Sequence, residues 1–191
     1  MDDVKALREK TGVSVMQCRK ALEDANCDMD KALVLLQKRG AEAAAKKSDR
    51  TAGSGRVVSY IHGGGTVGVL IELRSETDFV SKNEGFEALA RDIAMQIAAT
   101  NPLYITKEEI TEADKTTATE VFAEEVKDKP EAMREKILTG KLDAYFKDKI
   151  LLEQDYIKDP NLTVNGFIQN AIQRFGEKIE VARFVRFDTM K

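Results

Sequence analysis

Residues 60–86, YIHGGGTVGVLIELRSETDFVSKNEGF, limit the possible folds more than any other part of the chain. Val67, Val69, Ile71 and Leu73 alternate with Gly68, Leu70, Glu72 and Arg74. That period of two marks a strand with one buried face. Gly63-Gly64-Gly65 ahead of it supplies the positive-φ positions of a tight connection, so the segment predicts a β-hairpin. Ser81-Lys82-Asn83-Glu84 has the spacing of a capping box, which predicts a helix from near Lys82. Asp78 and Phe79 then fall in a turn between a strand end and a helix start, where function is often carried on a rigid frame. Gly63, Gly65 and Gly68 spell a literal G-x-G-x-x-G. A strand follows it where a phosphate loop would open a helix, so the dinucleotide reading fails.

Around this hairpin the chain alternates small helical blocks with a final strand. Residues 1–40 predict three short helices. The first begins its apolar stripe at Val4 and Leu7 and ends at Thr11-Gly12. The second opens with a capping box, Ser14-Val15-Met16-Gln17, and turns Cys18, Ala21, Leu22 and Ala25 inward. The third is capped by Asp28, carries Ala32, Leu33 and Leu36, and is expected to stop at Gly40. Residues 41–56, AEAAAKKSDRTAGSGR, are expected to be a flexible linker. Its alanines allow the helix to run on, and Gly53-Ser54-Gly55 is expected to break it. A helix with Phe86, Leu89, Ala90, Ile93, Ile97 and Ala98 on one side should end at Asn101-Pro102. Residues 111–149 are charged and thinly apolar, which predicts a projecting helical hairpin, an excursion of about 106–150, with a break at Gly140. Val164, Phe167, Ile168, Ala171 and Ile172 then predict a helix ending near Gly176, and IEVARFVRF a terminal strand.

Composition narrows the chemistry. Among 191 residues the net charge is −3, with no basic excess to supply phosphate contacts, so direct nucleic-acid binding is not expected. No apolar run approaches a membrane span, and the first residues lack a signal-peptide profile, so no membrane role and a cytoplasmic location are expected. The single histidine, His62, and two cysteines, Cys18 and Cys27, do not make a zinc site of the usual kind. Both cysteines read as small buried side chains of a reducing compartment. No cofactor, no metal and no covalent catalysis are expected.

TDFV following a GVLIEL-type strand resembles the elongation factor Ts family, and the resemblance runs through the whole chain. LREKTGVSVMQCRKALEDA is similar to the family's ubiquitin-associated-like N-terminal module, although Val13-Ser14-Val15 and Gln17 depart from its usual loop. A KPxxxxEKIxxGKL signature recurs in the helical region, and the last strand is similar to GENIxVRRFxRF, with Lys178 and Ala182 as departures. The resemblance implies an α+β fold: a three-helix module (1–40), a linker (41–56), and a core (57–191). The core is a small three-stranded antiparallel sheet packed with helices and carrying the helical excursion. It implies a guanine-nucleotide exchange factor for the GTPase elongation factor Tu, promoting release of magnesium and GDP. Residues implied in that contact are Thr77, Asp78, Phe79 and Val80, His62 and Gly63, Lys5 and Arg8 on the first helix, and Val15 and Met16.

From the residues alone, alternatives stay open at several of these positions. Phe79 reads either as a core anchor or as an inserted wedge, and the resemblance selects the wedge. Val15 and Met16 read equally as core or as an apolar knob, and Lys5 and Arg8 as a solvated face. Two further functions are compatible with parts of the chain: an adaptor built on the N-terminal module, and an enzyme using His62. Longer members of the family carry two core subdomains, TDFV in one and an HG-containing hairpin in the other. Here both features share one hairpin, so a two-fold homodimer is expected to supply the missing lobe.

Overall fold

The computed structural model describes residues 2–127 and 130–190. It is α+β and divides into two compact units, Met1–Ala98 with Asn165–Lys191, and Ala99–Val164.

The first unit begins with three helices, α1 (Asp2–Thr11), α2 (Val15–Asp24) and α3 (Met29–Ala45). Ser14 caps α2 by accepting the Gln17 N–H at 3.3 Å, the forward half of the expected box, and Asp28 caps α3 through the Lys31 N–H at 3.0 Å. Leu7, Val13, Cys18, Ala21, Leu22, Ala25, Ala32 and Leu36 form their shared core. Two expectations fail here. Cys18 is buried but Cys27 is exposed, because it sits at φ 63° in the tight turn between α2 and α3 and not on a helix face that meets the core. Gly40 does not stop α3. It is buried mid-helix, where a β-carbon would stand 3.3 Å from the Gln169 carbonyl oxygen, so the glycine serves close packing and the following alanines carry the helix on.

Strands β1 (Ser54–His62) and β2 (Val67–Ser75) form the predicted hairpin. Gly63, Gly64 and Gly65 lie at φ 61°, 69° and 100° between them. Gly53-Ser54-Gly55 is not a break: Ser54 pairs with Ser75 and Gly55 with Arg74, and a β-carbon on Gly55 would meet the Leu73 carbonyl oxygen at 2.8 Å. A one-turn helix α4 (Asp78–Ser81) and a longer α5 (Glu84–Thr100) follow. After the second unit, α8 (Val164–Phe175) leads into β5 (Ile179–Asp188). The sheet is antiparallel in the order β1-β2-β5. Val69, Ile71 and Leu73 on its inner face are buried, as are Phe86, Leu89, Ile93 and Ile97 of α5 and Ile168 and Ile172 of α8. A bulge opposite Glu72 and Leu73 leaves Ala182 without a register partner, so Arg183, Val185 and Phe187 point outward while Val181 points in.

The second unit holds α6 (Glu112–Val126) and α7 (Glu131–Lys149). Thr111 and Asp114 close a full capping box ahead of α6. Phe122 meets Tyr145 edge-on at 5.5 Å and Glu125 pairs with Lys141, which makes the two helices an antiparallel hairpin. Gly140 does not break α7. It costs the helix about 1 kcal/mol, which pairing along α6 offsets. A short two-stranded sheet, β3 (Asp155–Tyr156) and β4 (Asp159–Thr163), was not signalled by any alternation in the sequence.

Candidate partner-binding surface

The turn after β2 is held from below and presents one side chain outward. Thr77 donates its N–H to Glu177 Oε2 at 3.0 Å and its hydroxyl to Glu177 Oε1 at 2.6 Å. Ser81 is buried, within 2.9 Å of the Ser54 hydroxyl, and its own hydroxyl donates to the Asp78 carbonyl at 3.3 Å. Ser81 is therefore occupied and does not cap α5, contrary to expectation. Asn83 does so two residues later, accepting the Gly85 N–H at 2.8 Å. With Val80 and Ser81 turned inward, the single turn of α4 has to aim Asp78 and Phe79 at solvent. Phe79 is 86% exposed and Val80 only 8%. Asp78 accepts from Lys82 at 2.7 Å, and that bond holds its carboxyl below the usual aspartate range.

The core-anchor reading of Phe79 is thus excluded. The ring stands out to solvent on a backbone tied down by Thr77, Ser81 and their partners. Val80 acts from beneath as an anchor.

His62 closes β1 at the other end of the hairpin. Its Nδ1 lies 2.9 Å from the Tyr60 hydroxyl, and the two rings stack at 5.9 Å. Gly63 begins the turn, closed by a 3.1 Å bond from the Thr66 hydroxyl to the Gly63 carbonyl. Eight steps of about 3.4 Å along β1 put this end on the order of 27 Å from the Phe79 end. One copy of the chain does not bring His62 and Phe79 together.

On the N-terminal helices Val15 is 43% and Met16 77% exposed, so neither belongs to the core that Val13 fills. Lys5 and Arg8 are both exposed on α1, where Lys5 reaches Glu9 at 4.0 Å. Among the described residues no group of three or more His, Cys, Asp or Glu is placed to hold a metal ion, and no helix is long and apolar enough to cross a membrane.

Sequence reasoning missed the outer face of the sheet. Cross-strand rows there read Ile61, Gly68, Phe187, then Ser59, Leu70, Val185, then Val57, Glu72, Arg183. Val57, Ile61 and Phe187 are each more than 60% exposed, and Leu70 and Val185 more than 40%. The signal was present: Leu70 lies out of phase with its apolar neighbours, and FVRF carries apolar residues in both phases. Glu72 ends the patch, its carboxyl held below the usual range first by Arg74 and then by Arg183.

A family model described as Elongation factor TS matches residues 19–191. The chain is 46% identical over 187 residues to Elongation factor Ts of Heliobacterium modesticaldum, covering 97% of this chain and 87% of that one. It is 46% identical over 188 residues to Elongation factor Ts of Moorella thermoacetica, covering 97% and 93%. With Elongation factor Ts of Herpetosiphon aurantiacus it shares 42% over 190 residues, covering 98% and 96%. These matches put the chain among the translation elongation factors. Within them, it belongs to the elongation factor Ts family.

Proposed function

We propose that this chain is the guanine-nucleotide exchange factor for elongation factor Tu, binding the GDP-bound GTPase in the cytoplasm and promoting release of magnesium and GDP. The observation that carries this reading is Phe79, 86% exposed on a turn whose other residues are tied down. An exchange factor needs a wedge and anchors. By linkage, whatever weakens GDP binding must itself be bound less tightly when GDP is present. A rigid aromatic entering the GTPase near its magnesium site meets that requirement with no covalent step and no cofactor of its own. Lys5, Arg8, Val15 and Met16 supply anchors, and Thr77 and Asp78 frame the wedge. The test is release of a fluorescent GDP analogue from elongation factor Tu. Substoichiometric chain should accelerate it catalytically, and an unchanged release rate at saturating chain would sink the reading.

The working form is a two-fold homodimer with His62-Gly63 of one subunit and Phe79 of the other meeting one GTPase. Two observations support it: the separation of His62 from Phe79, and the apolar rows on the outer sheet face. A second copy laid on that face buries Ile61, Leu70, Val185 and Phe187 against their equivalents in an isologous contact. Sedimentation equilibrium at micromolar concentration should give twice the chain mass. Leu70→Lys should give the monomer, and a wild-type monomer would contradict the proposal.

A further inference from the structure

Helix α8 packs against the N-terminal helices, and its last residues also reach the start of α5. At Gly40 the backbone of α3 meets the α8 backbone at Gln169, as described above. Five residues on, a β-carbon on Gly12, just past α1, would stand 3.4 Å from Cδ of Arg174. The Arg174 side chain then crosses to the start of α5. Its Nη2 lies 1.8 Å from where a β-carbon on Gly85 would be, so it occupies the space that side chain would need. The guanidinium lies 4.6 Å from the centre of the Phe175 ring, and Phe175 meets the buried Phe86 edge-on at 6.4 Å. Three residues after Arg174, Glu177 takes both hydrogen bonds from Thr77.

Charge does not explain this placement. Glu84 and Glu87 lie in the first turn of α5, but no carboxylate pairs with Arg174 among the described residues. Shape does: the guanidinium fills the gap left by two glycines, one on the three-helix module and one on the helix that follows Phe79.

We propose that residues 174–177 form a positioning clamp. Arg174 locks the three-helix module to the start of α5, and Glu177 locks the Phe79 turn to the same short segment. Lys5, Arg8, Val15, Met16 and Phe79 then meet the GTPase as one preorganised surface. The clamp rests on the exchange reading above and deepens it, with Arg174 and Glu177 as positioning residues. A surface already ordered avoids the ordering cost that a loosely tethered module incurs on binding.

Two measurements on the full chain test it. In ¹⁵N relaxation, amides of α1–α3 and of β2 and α5 should share one rotational correlation time in the wild type. Arg174→Ala, and independently Gly85→Ala, which displaces the guanidinium, should give the module a shorter one. In GDP release from elongation factor Tu, Arg174→Ala should raise the half-saturating concentration about fivefold and leave the maximal rate within about twofold. Arg174→Lys, which lacks the planar group, should behave like Arg174→Ala. Independent tumbling in the wild type overturns the clamp. So does decoupled tumbling in Arg174→Ala with an unchanged half-saturating concentration. No acceleration by the wild type, with common tumbling intact, overturns the exchange reading and the clamp's role in it while the docking of the module stands.

Discussion

At the Phe79 end of the β1–β2 hairpin, Thr77 is bonded to Glu177, Ser81 to Ser54, and Asn83 caps α5. At the His62 end, three consecutive glycines at positive φ are closed by the Thr66 hydroxyl and by a 3.0 Å bond from the Thr189 N–H to the Thr66 carbonyl. One end spends its side chains on bracing a turn, so that a single aromatic ring stands in a fixed place. The other end spends glycines, which allow a tight turn and leave it adaptable.

Two phenylalanines seven residues apart should respond oppositely to truncation. Phe86 is fully buried, and Phe86→Ala should cost about 3–5 kcal/mol of stability, read by urea unfolding. Phe79→Ala should stay within about 0.5 kcal/mol of the wild type in the same experiment. A large loss for Phe79→Ala would make the braced end a piece of core. Next in size is the brace itself. Glu177→Ala removes the acceptor of two hydrogen bonds and should cost about 1–2 kcal/mol, with faster amide exchange confined to 77–82.

Acid should loosen the same end before the other. Glu76 is held below its ordinary value of 4.5, chiefly by the 2.6 Å bond from the Lys178 N–H and further by Arg50, while partial burial opposes them. A carboxylate depressed in the folded state contributes stability above its unfolded pKa and loses it as pH falls through the folded one. The melting temperature should therefore fall below pH 4.5, less steeply in Glu76→Gln, and a parallel acid limb in the two proteins would contradict the assignment. The smallest expected effect is at the glycine end. His62→Ala loses one exposed contact to Tyr60 and should leave stability within about 0.5 kcal/mol.

Much of this was legible in the sequence. The alternation from Val67 to Leu73 and the stripe from Phe86 to Ala98 placed a strand and a helix, because periodicity reports burial directly. The TDFV turn was legible as a place, but its geometry was not. Ser81 has the residue type and spacing of a cap, but the approach of Ser54, 27 positions earlier in the chain, and the Asp78 carbonyl take its hydroxyl away. Gly40 and Gly140 look alike as helix breakers. One is kept for a neighbour's backbone and the other faces open space, a difference made by tertiary packing. The outer sheet face escaped notice because alternation was expected to leave it polar, whereas Leu70, Val185 and Phe187 make it apolar on both sides.

The central claim, that Phe79 is an exposed wedge on a braced turn, is met most directly by one experiment. Phe79→Ala and wild-type chains are compared at saturation for release of a fluorescent GDP analogue from elongation factor Tu, with their melting temperatures measured in parallel. The account predicts a maximal release rate lower by about thirtyfold, the loss of some 2 kcal/mol at a hot spot, with an unchanged melting temperature. An unchanged release rate in a stably folded Phe79→Ala chain would contradict it.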